Sequence, residues 1–337
     1  TGTEGGTGLF EVDYFDSTVY LAQSPQFYKQ AMVASGLERV FEIAPAYRAE
    51  KHETPRHLNE YVSLDVEMGF IDRVEDLMDL EVRILTAIVE GLRADIGAHF
   101  REDPFAARGL PLPTAEELSR IPRISHDEAK SIAKEESGKR VFEINPEAER
   151  DICAWAEREH GVGAAFVTGF PRRKRPFYTM PDGQKTKSFD LLFRGLEITT
   201  GGLRLYRYDE LLEALPKFGL SAEALADYLS IFKYGCPPHG GFAIGLERLL
   251  VAAWSEIVSP RSSSASPTSR RPPSSRGIAS GCALRGSSGN PRGVGRGCPR
   301  EVSAGRRHRE QRIPPVWGRD RRPHEVETAW LRPVHVD

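Results

Sequence analysis

The apolar periodicity of this chain ends at Val251, which confines any packed core to about the first 250 of its 337 residues. Of the 88 residues from 250 to 337, 48 are Gly, Pro, Ser or Arg. A stretch of that composition has too little apolar surface to offset the chain entropy lost on folding, so a disordered tail is expected. Charge divides at the same place. Residues 1–249 carry 30 Lys+Arg and 41 Asp+Glu, a balance of −11, whereas 250–337 carries 16 Arg, no Lys and 7 acids, a balance of +9.

The first 250 residues read as an α+β domain. Residues 9–22 alternate and turn like a hairpin, and a short helix follows over 25–35, stopped at Gly36. Two long strands, 39–49 and 60–71, are joined by a charged loop; the second has Val62, Leu64, Val66 and Met68 at period two. Leu77, Leu80, Ile84 and Ile88 mark a helix over 73–94. The section 98–162 reads as a helical insertion. Thr114 with Glu117 and Ser125 with Glu128 match the capping-box spacing, and a third helix covers 146–160 before Gly161. Strands are expected at 164–170, 176–180 and 188–199, and helices at 208–215 and 221–233.

Four cysteines without a Cys-x-x-Cys pair argue against zinc and disulfide frameworks and fit a reducing cytoplasm. No apolar run approaches the roughly 20 residues that span a bilayer, so no membrane partner is expected. The opening Thr1-Gly2-Thr3 reads as the start of a piece cut from something longer.

Three runs carry chemistry. In Phe41–Ile71, a hairpin presents Arg48 and Glu50 two residues apart on one face, with Tyr61 on the return strand. Arg48 suits a bidentate contact to phosphate or carboxylate, Glu50 a purine amino group, and Tyr61 stacking on a purine ring. The bland alternative is a hairpin with ordinary solvated charges. In Phe242–Leu249, a short strand meets Gly245 and enters a helix with Arg248 in its first turn. A cation at the positive end of a helix dipole points to an anionic partner; the bland alternative pairs it with Glu247 or a neighbour. In Ser188–Arg204, Asp190 and Glu197 are seven apart and converge only if the chain turns near Arg194-Gly195. With Thr200 they would suit Mg²⁺ carrying phosphate oxygens; the alternative is a polar strand edge. Arg204 reads as a carboxylate clamp. No Gly-x-x-x-x-Gly-Lys phosphate loop is present, so guanidinium groups would hold any nucleotide triphosphate.

Six runs, in order, resemble aspartyl-tRNA synthetases of the archaeal/eukaryotic type, within the class II aminoacyl-tRNA synthetases. They are Thr3-Glu4-Gly5-Gly6, Gln23–Gln30, Tyr47-Arg48-Ala49-Glu50, Arg56-His57-Leu58-Asn59-Glu60, Gly195–Gly202 and Gly241–Leu249. The resemblance covers about residues 1–249 and implies a class II catalytic core, an antiparallel β-sheet flanked by helices. It implies ATP-dependent activation of aspartate to aspartyl-adenylate and transfer to the 3′ end of tRNA. By position it implies that Arg48 and Arg248 are catalytic and hold the α- and γ-phosphates. Glu50 would read adenine, Tyr61 would stack on it, and Arg56 and His57 would lie near the outer phosphates or the tRNA end. Asp190, Glu197 and Thr200 would serve Mg²⁺, with Glu197 also at ATP. Glu4, Gln26, Lys29, Asp65, Thr200, Arg204 and His239 would form the aspartate pocket, in which Lys29 and Arg204 pair the side-chain carboxylate.

The implied partners are aspartate and tRNA(Asp), with tRNA(Asn) as a further acceptor, in a cytoplasmic homodimer. Asparaginyl-tRNA synthetase is an alternative, although Asp65 stands where that enzyme usually carries Glu. A tRNA-independent asparagine synthetase paralogue and an inactive synthetase fragment are others. The chain departs from the family after Arg248. Its tail reads as the product of a reading-frame change, with a basic tRNA-binding arm as the alternative.

Overall fold

The computed structural model describes residues 8–49 and 58–254. The expectations for the tail, and for Glu4, Glu50, Arg56 and His57, lie outside the described residues.

The strands are β1 (Glu11–Tyr14), β2 (Ser17–Tyr20), β3 (Arg39–Tyr47), β4 (Glu60–Gly69), β5 (Arg123–Ser125), β6 (Ala164–Thr168), β7 (Pro181–Asp182), β8 (Lys185–Thr186), β9 (Ser188–Phe193), β10 (Leu196–Leu203) and β11 (His239–Gly245). The helices are α1 (Gln26–Ala34), α2 (Val74–His99), α3 (Pro104–Ala107), α4 (Ala115–Ser119), α5 (His126–Ser137), α6 (Pro146–His160), α7 (Tyr208–Ala214), α8 (Ala226–Ser230) and α9 (Leu246–Trp254). Seven strands form one sheet in the order β3-β4-β11-β10-β9-β6-β5, antiparallel except for the β5–β6 edge. The expected antiparallel sheet flanked by helices is therefore present.

Strand parity decides what each face of the sheet carries. On β4, Leu64, Val66 and Met68 turn toward α2, where Leu77, Met78, Leu85 and Val89 bury against them together with Phe166, Phe189, Leu191, Phe242 and Ile244. Burying each such side chain contributes about 1.5–3 kcal/mol. The opposite parity of β4, Tyr61, Ser63, Asp65 and Glu67, faces the other side, where α1 covers Asp65 and Glu67 through Gln26 and Lys29 and leaves Tyr61 and Ser63 in a cleft. At the β5 end that side is covered by α5 and α6, through Ala129, Ile132, Ala148, Ile152, Cys153 and Ala156 packed on Ile124, Ala165, Val167 and Leu192. A third cluster joins Phe177, Tyr178 and Leu205 to α7 and α8, with Phe27 of α1 against it.

Local chemistry explains the element ends. Both capping boxes form: the Thr114 hydroxyl accepts from Glu117 N and the Ser125 hydroxyl from Glu128 N, and each Glu reaches back. Helix α6 has Asn145 as N-cap and stops at Gly161, which adopts a left-handed φ of 68°.

Three readings need correction. Pro176–Met180 is not a strand; its backbone makes turns and one bridge, and the nearby pairing is the β7–β8 hairpin. The expected single strand at 188–199 is two, because Arg194 (φ 47°) and Gly195 (φ 77°) make a left-handed two-residue turn between β9 and β10. Over 221–233 only Ala226–Ser230 is α-helical. The segment 98–162 also contributes β5, whose three residues are too short to show a period.

Candidate active site

The cleft on this side is lined by Arg48, Tyr61, Ser63, Glu197, Thr200, Glu247 and Arg248, among others, and has a volume of about 180 Å³. Arg48 continues the β3–β4 hairpin, its N–H donating to Asn59 O at 2.9 Å. Its guanidinium lies 5.4 Å from the Tyr61 ring centre. Its Nε is buried and, among the described residues, has no hydrogen-bond partner. Arg248 enters from the first turn of α9. Its Nη1 donates to Glu197 O at 3.1 Å and to Glu197 Oε1 at 3.3 Å. The alternative of a neighbouring partner is thus met by Glu197 and not by Glu247, whose carboxylate accepts the Val62 N–H at 2.9 and 3.0 Å and ties α9 to β4.

The turn at Arg194-Gly195 brings the acids together. Asp190 and Thr200 are directly opposed across β9 and β10, and the Thr200 hydroxyl donates to Glu197 Oε1 at 3.2 Å. Asp190 is buried and lies 2.7 Å from Arg175 Nη2. Burial pushes its carboxyl up to about 7, Arg175 pulls it down, and Glu197 adds to the rise.

Farther along the same strands lies a buried ionic cluster. Lys29 Nζ donates to Asp65 Oδ1 at 2.8 Å and lies 3.5 Å from Glu67 Oε2. Arg204 Nε donates to Glu67 Oε1 at 3.0 Å, and its Nη2 donates to Gln26 Oε1 at 3.2 Å and to Gly241 O at 3.0 Å. Burial tends to raise the Glu67 carboxyl, but Arg204, Lys29 and His239 together hold it below the usual range. His239 Nδ1–H donates to Pro237 O at 2.9 Å, so Nε2 accepts from Gln30 Nε2 at 3.0 Å. That neutral tautomer agrees with a pKa lowered chiefly by burial. Gly241 is required here: a Cβ would sit 2.1 Å from Glu67 Oε2 and from Val66 O.

Arg48, Tyr61, Glu197, Thr200 and Arg248 thus share the cleft, and Asp190 lies against it. Gln26, Lys29, Asp65, Arg204 and His239 share the buried cluster. Arg204 does not line the cleft itself; it follows Thr200 by four residues at the end of the same strand. Sequence reasoning missed Glu67, Gln30 and Arg175. Glu67 was within reach, since it lies two residues beyond Asp65 and must share its face.

The family model for class II tRNA synthetases (D, K and N) matches residues 1–257. The chain belongs to this family. The aspartate–tRNA(Asp/Asn) ligase of Thermus thermophilus is 54% identical over 250 residues, covering 74% of this chain and 57% of that protein. The synthetase chain thus spans little more than half the length of that relative. In fold it is similar to the asparaginyl-tRNA synthetase of Pyrococcus horikoshii complexed with asparaginyl-adenylate. The TM-score is 0.61 at 32% identity, covering 77% of this chain and 58% of that one. It is likewise similar to the aspartyl-tRNA synthetase of Entamoeba histolytica, with a TM-score of 0.61 at 30% identity over 70% of this chain and 49% of that one. Among the described residues, no helix is long and apolar enough to cross a membrane.

Proposed function

We propose that this synthetase domain activates aspartate with ATP and passes it to the 3′ end of tRNA. The observation that carries this reading is one sheet face with a cleft between two arginines at one end and a buried Lys29–Arg204 pair at the other. Adenylate formation brings two anions together in line. A pair of fixed guanidinium groups lowers that repulsion and stabilises charge in the transition state. In this reading Arg48 holds the α-phosphate and Arg248 the γ-phosphate, while Tyr61 stacks on the base. Among the described residues the buried Nε of Arg48 has no hydrogen-bond partner, which suits it to receive an anion. Glu4, Glu50, Arg56 and His57 would complete the site from outside the described residues.

Asp190, Glu197 and Thr200 fit Mg²⁺ by donor chemistry, two carboxylates and a hydroxyl on one face. The metal would neutralise phosphate charge when bound. Lys29 and Arg204, held in place by Asp65 and Glu67, would receive the aspartate side-chain carboxylate, with Gln26, Thr200 and His239 around it. Selection of aspartate over its neutral amide would rest on charge-assisted hydrogen bonds from Lys29 and Arg204 that an amide nitrogen cannot accept.

The name of the Thermus relative supports both tRNA(Asp) and tRNA(Asn) as acceptors. A homodimer is proposed from Phe41 and Ile43, which stand 74% and 61% exposed on the outer strand β3. A cytoplasmic location is proposed from the sparse cysteines. Amino-acid-dependent pyrophosphate exchange tests the central claim. Exchange with aspartate and not asparagine is expected. Exchange with asparagine alone, or no binding of ATP and aspartate at all, would overturn it.

A further inference from the structure

Residues three apart on a regular strand face opposite sides of a sheet. Glu197 and Thr200 are three apart, yet they hydrogen-bond at 3.2 Å within the cleft. A bulge reverses the parity. Glu197 opposes Leu192 and Thr199 opposes Leu191, so Ile198 is an extra residue on β10. Ile198 packs into the α2 core, and Thr199 turns the same way, toward Glu81 of α2. Glu197 and Thr200 are thereby left together on the cleft side, level with Asp190.

The bulge is gripped from outside the sheet. The Glu197 N–H donates to Glu149 Oε2 at 3.1 Å. Glu149 lies on α6, in the insertion, and is 6% exposed. One helical turn on, buried Cys153 lies close enough to Gly195 for that backbone to act on its thiol. Positions 149 and 153 share one face of α6, so a single helix face meets both the β9–β10 turn and the bulge. From the other side, Arg194 Nη1 donates to Ala253 O, near the end of the helix that carries Arg248, at 3.2 Å.

We propose that Glu149 is a positioning residue for the nucleotide site. Its carboxylate fixes the Glu197 amide, keeps the extra residue at Ile198, and so holds Glu197 and Thr200 on the cleft side. When the grip is lost, β10 can regularise, and the parity that places Glu197 beside Arg248 is lost with it. The insertion is thus part of the catalytic apparatus without touching substrate. This inference rests on the ATP reading of the cleft.

The test compares the full chain with Glu149→Ala and Glu149→Gln. It measures amide hydrogen exchange at Glu197 without ligands, and titrates Mg²⁺ with ATP, and aspartate, by calorimetry. Glu149→Ala is expected to speed exchange at Glu197 and to weaken ATP·Mg²⁺ binding by about tenfold or more, the usual effect of removing a supporting partner, with a smaller loss of aspartate affinity through Thr200. Glu149→Gln keeps an oxygen acceptor and should restore both. Exchange and ATP affinity in Glu149→Ala equal to wild type would overturn the proposal. So would an equal loss of ATP and aspartate affinity that Glu149→Gln does not rescue. A wild type that binds no ATP would instead defeat the functional reading, and amide exchange at Glu197 would still decide whether Glu149 holds the bulge.

Discussion

Replacing Glu67 with Gln tests whether the buried cluster is ionised and mutually balanced. Glu67 is 0% exposed, and its oxygens lie 3.0 Å from Arg204 Nε, 3.5 Å from Lys29 Nζ and 3.4 Å from Gln26 Nε2. Gln keeps the shape, removes the negative charge and turns an NH₂ toward two cations. Removing one partner from a buried ion pair costs about 3–5 kcal/mol, because the remaining charge stays buried. In a folded region of this size each kcal/mol shifts Tm by about 2–4 °C, so Tm should fall by roughly 6–20 °C at neutral pH.

The pH dependence gives a second observable. The folded pKa of Glu67 lies below the usual 4.5 despite burial, because Arg204, Lys29 and His239 outweigh desolvation. A carboxyl lowered in this way adds stability above its unfolded pKa and loses it as pH falls through its folded pKa. The wild type therefore loses this contribution below about pH 4.5, and the gap in Tm between the two proteins should narrow there. Differential scanning calorimetry at neutral pH and near pH 4 reads both effects. A variant melting within about 2 °C of wild type at neutral pH, or a gap that does not change with pH, would refute the balanced-ion account.

Other perturbations have equally definite outcomes. Burial raises the Glu81 carboxyl to about 8, and among the described residues neither oxygen has a hydrogen-bond partner of normal geometry. A raised acid binds its proton in the native state while the unfolded chain releases it, so stability falls as pH rises from about 4.5 to 8 at up to about 1.4 kcal/mol per unit. Glu81→Gln should flatten that slope and raise Tm near pH 8; an unchanged profile would show that Glu81 is not buried as a neutral acid. In Gly201→Ala the new Cβ would meet Phe242 Cβ at 2.6 Å and the Phe189 ring at 2.7 Å, and overpacking of this kind costs about 1–3 kcal/mol. A thermal melt unchanged by that substitution would contradict the packing of β9, β10 and β11. Arg248→Ala removes a charge-assisted contact to Glu197 and the proposed phosphate contact, so KM for ATP in pyrophosphate exchange should rise by about tenfold or more while KM for aspartate holds. Equal rises in both would place Arg248 outside the nucleotide site.

How much was legible depended on the range of the interaction. The capping boxes at Thr114 and Ser125 and the α6 stop at Gly161 are local, and the structure forms each of them. The period-two pattern of Leu64, Val66 and Met68 marked the core face of β4, and by default it marked Asp65 and Glu67 as facing the other way. The Pro176–Met180 strand failed for the complementary reason: its aromatic residues pack into the third cluster as turns, and no pattern of local propensity shows that.

The sequence by itself determined which residue types were available and the parity on which most of them would fall, because side-chain direction along a strand is set by the backbone within a few residues. Tertiary structure alone decided that Arg48 and Arg248, 200 positions apart, border one cleft, and that Glu67 sits between Lys29 and Arg204. It also decided the reversal of parity at Ile198, which needs a carboxylate from a helix some fifty residues earlier. Such contacts follow from strand order and helix placement, which depend on the whole core closing at once.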